Sequence, residues 1–91
     1  VEAIRDTIVR RLEERFAPRR LEVLDESQAH AGHAAAGGGH FRVLVVSEAF
    51  EGVARVARHR LVYDALSDLM PQRIHALALR TRTPSEDRDA P

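Results

Sequence analysis

The sequence predicts an α+β domain in the order helix, strand, strand, helix, strand, with two helices covering one face of a three-stranded mixed sheet. Three observations lead there. Apolar residues recur every three or four positions in two long segments, the helical period. Three short segments carry apolar residues in alternation or in a run, the strand pattern. Proline and glycine fall between these segments, where the chain must turn.

The first helix is expected over residues 1–16, where Val1, Ile4, Ile8, Leu12 and Phe16 make one stripe among Arg and Glu. Pro18 stops it, because the residue before a proline is pushed out of the helical region. Leu21 and Val23 alternate with Glu22 and Leu24 in a first strand that ends near Asp25. Residues 27–39 hold Gly32, Gly37, Gly38 and Gly39 among alanines with no periodic apolar pattern, and read as a long loop. The second strand, "HFRVLVVS" at 40–47, places Phe41, Val43 and Val45 on one face and Leu44 and Val46 on the other. Apolar residues on both faces suit a central strand. Gly52 marks a turn into the second helix, whose expected inner side carries Val56, His59, Val62, Tyr63, Leu66, Leu69 and Met70. Pro71 ends it. The third strand covers 73–81, with His75, Leu77 and Leu79 on one face. A strand-helix-strand unit crosses over right-handed, so the third strand runs parallel to the second. The first two strands are expected to be antiparallel. The domain is expected to occupy residues 1–82, and the polar stretch 83–91 to be a frayed tail.

Composition narrows function. The chain has 91 residues, 44% of them hydrophobic and 31% charged, with 14 basic against 14 acidic residues. Every basic residue other than histidine is arginine. Zero net charge argues against a dedicated nucleic-acid binder, which carries a clear basic excess. Without cysteine there is no disulfide, thiolate zinc site or thiol nucleophile. No apolar run is long enough to span a membrane, and the charged start lacks the apolar core of a secretory signal. The expectation is a soluble intracellular protein: cytoplasmic if bacterial, organellar if eukaryotic. No nucleophile–base pair, phosphate loop or carboxylate pair suggests an enzyme.

The histidines carry the remaining signal. The segment "DESQAHAGH" holds His30 and His33, which leave the far end of the first strand. The second strand begins at that end with His40, and the parallel third strand begins there too, near His75. Four of the five histidines therefore converge on one end of the sheet, with His59 at the other. Each has an ordinary reading as well: a solvated loop residue for His30 and His33, a strand-entry residue for His40, a hydrogen-bonded strand residue for His75. His30, His33 and His75 make three ligands for a zinc that keeps water as its fourth, although a glycine-rich loop is a poor cage. Alternatively the chain supplies part of a site and a partner the rest, as when imidazoles replace thiolates on one iron of a [2Fe–2S] cluster.

"LEVLDESQAHAGH", "HFRVLVVSEAFEG", "RVARHRLVYDAL" and "IHALAL" followed by "TRTP" resemble the BolA family from about Ile4 to Pro84. The resemblance implies a class II KH-like fold and a non-enzymatic adaptor in iron–sulfur metabolism. Such an adaptor is a monomer alone and pairs with a monothiol glutaredoxin, sharing a [2Fe–2S] cluster with it and with glutathione. It implies His75 as one ligand and a loop residue as the other, with His30 ranked ahead of His33. Some members are described as DNA-binding regulators, for which the second helix offers Arg55, Arg58 and Arg60. Residues 53–82 carry six arginines against two acids, whereas Arg58 and Arg60 also read as partners of neighbouring acids. "GVAR" at 52–55 lacks the second glycine of the KH phosphate clamp.

Overall fold

A computed structural model describes residues 2–27 and 39–90. The element order is α1 (Ile4–Phe16), β1 (Arg20–Asp25), β2 (His40–Val46), α2 (Arg55–Leu66), β3 (Ala76–Arg82) and α3 (Pro84–Asp89), with short 3-10 turns at Glu48–Phe50 and Ser67–Leu69. The sheet order is β1-β2-β3. β1 pairs antiparallel with β2, from Arg20 opposite Val46 to Asp25 opposite Phe41. β3 pairs parallel with β2, from His40 opposite Ala76 to Val46 opposite Arg82. The mixed sheet and its α+β class are those the sequence predicts.

The stripe of α1 packs as its spacing requires, with Ile8, Leu12 and Phe16 buried. Its end is set by Ala17, which takes a left-handed conformation and donates its N–H to Glu13 O. Ile8, Leu12 and Phe16 meet Val23, Phe41, Val43, Val45, Phe50, Val62, Leu66 and Ile74 in one core between the helices and the sheet. Phe16 and Phe50 pack with ring centroids 5.3 Å apart. Leu44 and Val46 are also buried, so β2 is covered on both faces. Ser47, completely buried, is satisfied twice over: its Oγ donates to Phe16 O at 2.6 Å and accepts from Ala49 N at 3.0 Å.

Two expectations are corrected. Of the expected inner side of α2 and the turn after it, Val62, Leu66 and Leu69 are buried, but Val56 and Tyr63 are 66% and 37% exposed, and Arg58 and Ala65 are inside in their place. Hydrophobicity alone excludes an arginine from an inner face, but here the fold satisfies one. Arg58 Nε donates to Val53 O at 2.6 Å, and its two terminal nitrogens grip Glu86 at 2.7 and 3.1 Å. The guanidinium lies 5.9 Å from the centre of the Phe50 ring.

Glu86 belongs to the second correction. The stretch expected to fray instead forms α3, opened by Pro84 at its first turn and by a capping box between Thr83 and Glu86. Asp87 then pairs with both Arg20 and Arg82. The helix is polar, and ion pairs rather than apolar burial dock it, which is why a periodicity search passes over it. Among the described residues no helix is long and apolar enough to cross a membrane.

Candidate functional site

At one end of the sheet, β1 finishes while β2 and β3 begin, and hydrogen bonds tie the three together. Glu26 N–H donates to His40 O at 2.7 Å. Ser27 N–H turns back to Asp25 Oδ1 at 2.9 Å, closing an Asx turn. Hydrogen bonding from the Ser27 side chain, then from its backbone, holds the Asp25 carboxyl below its ordinary range. Ser27 Oγ accepts from Gly39 N at 3.0 Å and His40 N at 3.3 Å. Ser27 and Gly39, which bracket residues 28–38, are thus held against each other by one hydroxyl.

Gly39 joins that clamp to β3. Its carbonyl accepts from His75 N at 2.7 Å and Ala76 N at 3.0 Å. The backbone approach is so close that a Cβ at Gly39 would lie 2.7 Å from Arg73 O and 2.8 Å from His75 N, and φ there is +84°. Only glycine fits. The consequence is positional: His75 is fixed beside the point where the 28–38 segment rejoins the sheet.

His75 sits just ahead of β3 and is exposed, rather than being a half-buried strand residue. Its ring lies 6.1 Å from that of the half-buried His40, centroid to centroid. His30 and His33 lie outside the described residues. His59 lines a cleft with Leu79–Arg82, at the other end of β3 from His75. Among the described residues no three His, Cys, Asp or Glu side chains gather as a metal site. The exposed His75 imidazole therefore belongs to a complete site only if further ligands join it. An exposed imidazole can serve as one ligand of a metal whose other ligands come from elsewhere.

The candidate nucleic-acid residues divide. Arg55 and Arg60 are exposed on α2, whereas Arg58 is 6% exposed and held by Val53 and Glu86. Arg58 is part of the fold and presents no contact to a phosphate. Sequence reasoning missed Ser27 and Gly39. The Asp-x-Ser pattern after a strand was the available signal for the first, but the second is one of four glycines in its loop and nothing in the sequence singles it out.

The family profile for BolA-like proteins matches residues 12–86. The "DNA-binding transcriptional regulator BolA" of Vibrio cholerae is 45% identical over 83 residues, covering 91% of this chain and 77% of that protein. The "SufE-like protein 1, chloroplastic/mitochondrial" of Arabidopsis thaliana is 45% identical over 83 residues, covering 84% of this chain but 22% of that longer protein. Its solved BolA domain superposes with a TM-score of 0.83 at 41% identity, over 94% of this chain and 98% of that one. The structure of BolA1 from the same plant gives a TM-score of 0.85 at 35% identity, over 100% and 99% of the two chains.

Proposed function

This chain belongs to the BolA-like protein family, and from that premise we propose that it is a non-enzymatic adaptor that binds a monothiol glutaredoxin and co-ligates a shared [2Fe–2S] cluster. The observation that carries the reading is the exposed His75 beside the clamped ends of the 28–38 segment. His30 is three residues beyond Ser27, a tether of at most about 10 Å, and His33 is six residues from either clamp residue, within about 20 Å. Either histidine can reach a site at the rim, and the shorter tether favours His30. A cluster with imidazole on one iron has a higher potential than an all-thiolate one. This chain, lacking cysteine, supplies imidazoles, and the glutaredoxin cysteine and a glutathione thiol supply the sulfur. The Ser27–Gly39–His75 hydrogen bonds fix the backbone at His75. A ligand set divided between two proteins suits a carrier, which must release as well as bind.

The test is to mix the protein with a cluster-loaded monothiol glutaredoxin and record visible absorption and circular dichroism. Wild-type protein changes the spectrum of the loaded glutaredoxin, and His75→Ala does not. Of His30→Ala and His33→Ala, the former carries the larger loss. Indistinguishable spectra for wild type and His75→Ala refute the assignment of His75.

The second reading, a DNA-binding regulator, is favoured by the name of the Vibrio cholerae relative and by the exposure of Arg55 and Arg60. It requires sequence-selective retardation of duplex DNA that falls on Arg60→Ala. Retardation of any duplex, at low salt alone, is nonspecific charge.

A further inference from the structure

At the end of the sheet away from His75, a cleft of about 380 Å³ lies between α2 and β3, lined by Arg55, Val56, His59 and the run Leu79–Arg82. β3 is an edge strand, and the pairing shows which of its groups are open. In a parallel ladder, alternate residues aim their N–H and C=O at the neighbouring strand and the rest aim outward. Ala76 N–H donates to Gly39 O, and Arg82 O accepts from Ser47 N, so the even-numbered residues face β2. Tyr63 hydroxyl reaches Leu77 O from the other side at 3.4 Å, which marks the odd-numbered residues as the open edge. Leu79 and Thr81 therefore aim backbone N–H and C=O away from β2, on the side of the cleft, and no strand pairs with them among the described residues; Thr81 is buried, so the opening lies chiefly at the half-buried Leu79. Thr81 adds an orphan: its Oγ1 is buried without a hydrogen-bond partner among the described residues, although the residue is 5% exposed. Buried hydroxyls are ordinarily satisfied; this one is enclosed within the wall of the cleft rather than open to it.

We propose that this cleft takes an extended, acidic segment of a partner protein, which adds to β3 as a fourth strand. An open ladder is matched by the backbone of an extended chain, which exchanges hydrogen bonds with it. The sign of the partner's charge follows from the lining. Arg55, Arg80, Arg82 and His59 surround the cleft and no carboxylate lines it. Arg55 and Arg80 make no ion pair among the described residues, whereas Arg82 shares Asp87. Val56, 66% exposed on the helix wall, offers apolar contact to alternate side chains of the incoming strand. A nucleic acid would use the arginines but leave the row of backbone groups unmatched. The cleft lies along the strand from His75 by several residues at about 3.3 Å each, so a partner here leaves the histidine rim free.

The probe is an acetylated, amidated octapeptide of alternating valine and glutamate, titrated into the isotope-labelled full chain. Amide shifts are expected at residues 55–59 and 77–82, with slowed hydrogen exchange at Leu79 and Thr81. Arg80→Glu places like charges across the new pairing and weakens binding about tenfold. Methylating alternate peptide nitrogens on the pairing side abolishes it. Unchanged exchange at Leu79 and Thr81 with millimolar peptide overturns the proposal, as does equal binding of a valine–lysine octapeptide. Duplex DNA shifting the same amides while the acidic peptide does not would make the cleft a phosphate reader, and the proposal would fail.

Discussion

Replacing Gly39 with alanine tests the clamp at the histidine rim, and Gly52→Ala supplies its internal control. Both glycines have positive φ, +84° and +71°. A Cβ at Gly52 meets nothing within 4 Å, whereas one at Gly39 lies 2.7 Å from Arg73 O and 2.8 Å from His75 N. Left-handed backbone costs an L-residue roughly 1–2 kcal/mol. Stiffening the unfolded chain returns about 0.4–1 kcal/mol of that. Gly52→Ala should therefore lose about 1 kcal/mol. Gly39→Ala adds a forced separation from backbone atoms that cannot swing aside. This weakens the two hydrogen bonds to Gly39 O, each with a net contribution of about 0.5–1.5 kcal/mol. The total is about 2–4 kcal/mol, against 4–8 °C of Tm for each kcal/mol in a domain of this size. The assay is urea denaturation of both variants, with hydrogen exchange read at His75 and Ala76. Exchange at those two amides should accelerate in Gly39→Ala and stay unchanged in Gly52→Ala. Equal midpoints for the two variants would falsify the argument that the close approach, rather than φ, demands glycine at position 39.

Ser27→Ala removes the acceptor for Gly39 N–H and His40 N–H and should cost about 1 kcal/mol, with exchange at those two amides faster by about tenfold. Arg58→Met keeps the stem over Phe50 but deletes the bonds to Val53 O and Glu86. A thermal melt should show a loss of about 10 °C, and a melt within 2 °C of wild type, roughly the effect of an ordinary surface change, would sink this account of α3 docking. The Arg58 hydrogen bond, and then the Thr83 backbone, hold the Glu86 carboxyl well below its ordinary 4.5, at about 2. A carboxyl depressed on folding stabilises above its unfolded value, so this contribution is present above about pH 4.5 and lost as pH falls toward 2. Acid titration of wild type and Glu86→Gln should converge over that window, and parallel curves would show that Glu86 does not carry the dependence.

Two kinds of packing hold this fold, and they leave different traces in the sequence. Periodicity located α1, the three strands and the central place of β2, because burial of apolar side chains imposes a repeat that can be counted along the chain. Where charge substitutes for apolar burial, the repeat is silent. Arg58 faces inward and Val56 outward on α2, since the inner position is set by Glu86, 28 residues away. The same pairing draws Pro84–Asp89 into a docked helix. No local window contains both partners of that bond.

The histidine rim shows the same division within a single site. That His40 and His75 share an end of the sheet followed from strand directions alone, and their rings lie 6.1 Å apart. What holds His75 in place was not legible, because it depends on backbone atoms: Gly39 O accepting from His75 and Ala76, with Ser27 Oγ behind it. Backbone hydrogen bonds leave no side-chain signature except where geometry excludes a Cβ, and here that exclusion falls on Gly39. The residue types that carry the proposed chemistry can thus be read from "DESQAHAGH" and "IHALAL", while the rigidity that aims one of them comes from a glycine and a serine with no chemistry of their own. It follows that Gly39→Ala should weaken cluster sharing with a glutaredoxin even though every imidazole is intact, whereas Gly52→Ala, with comparable backbone strain but no contact to the rim, should leave it unchanged.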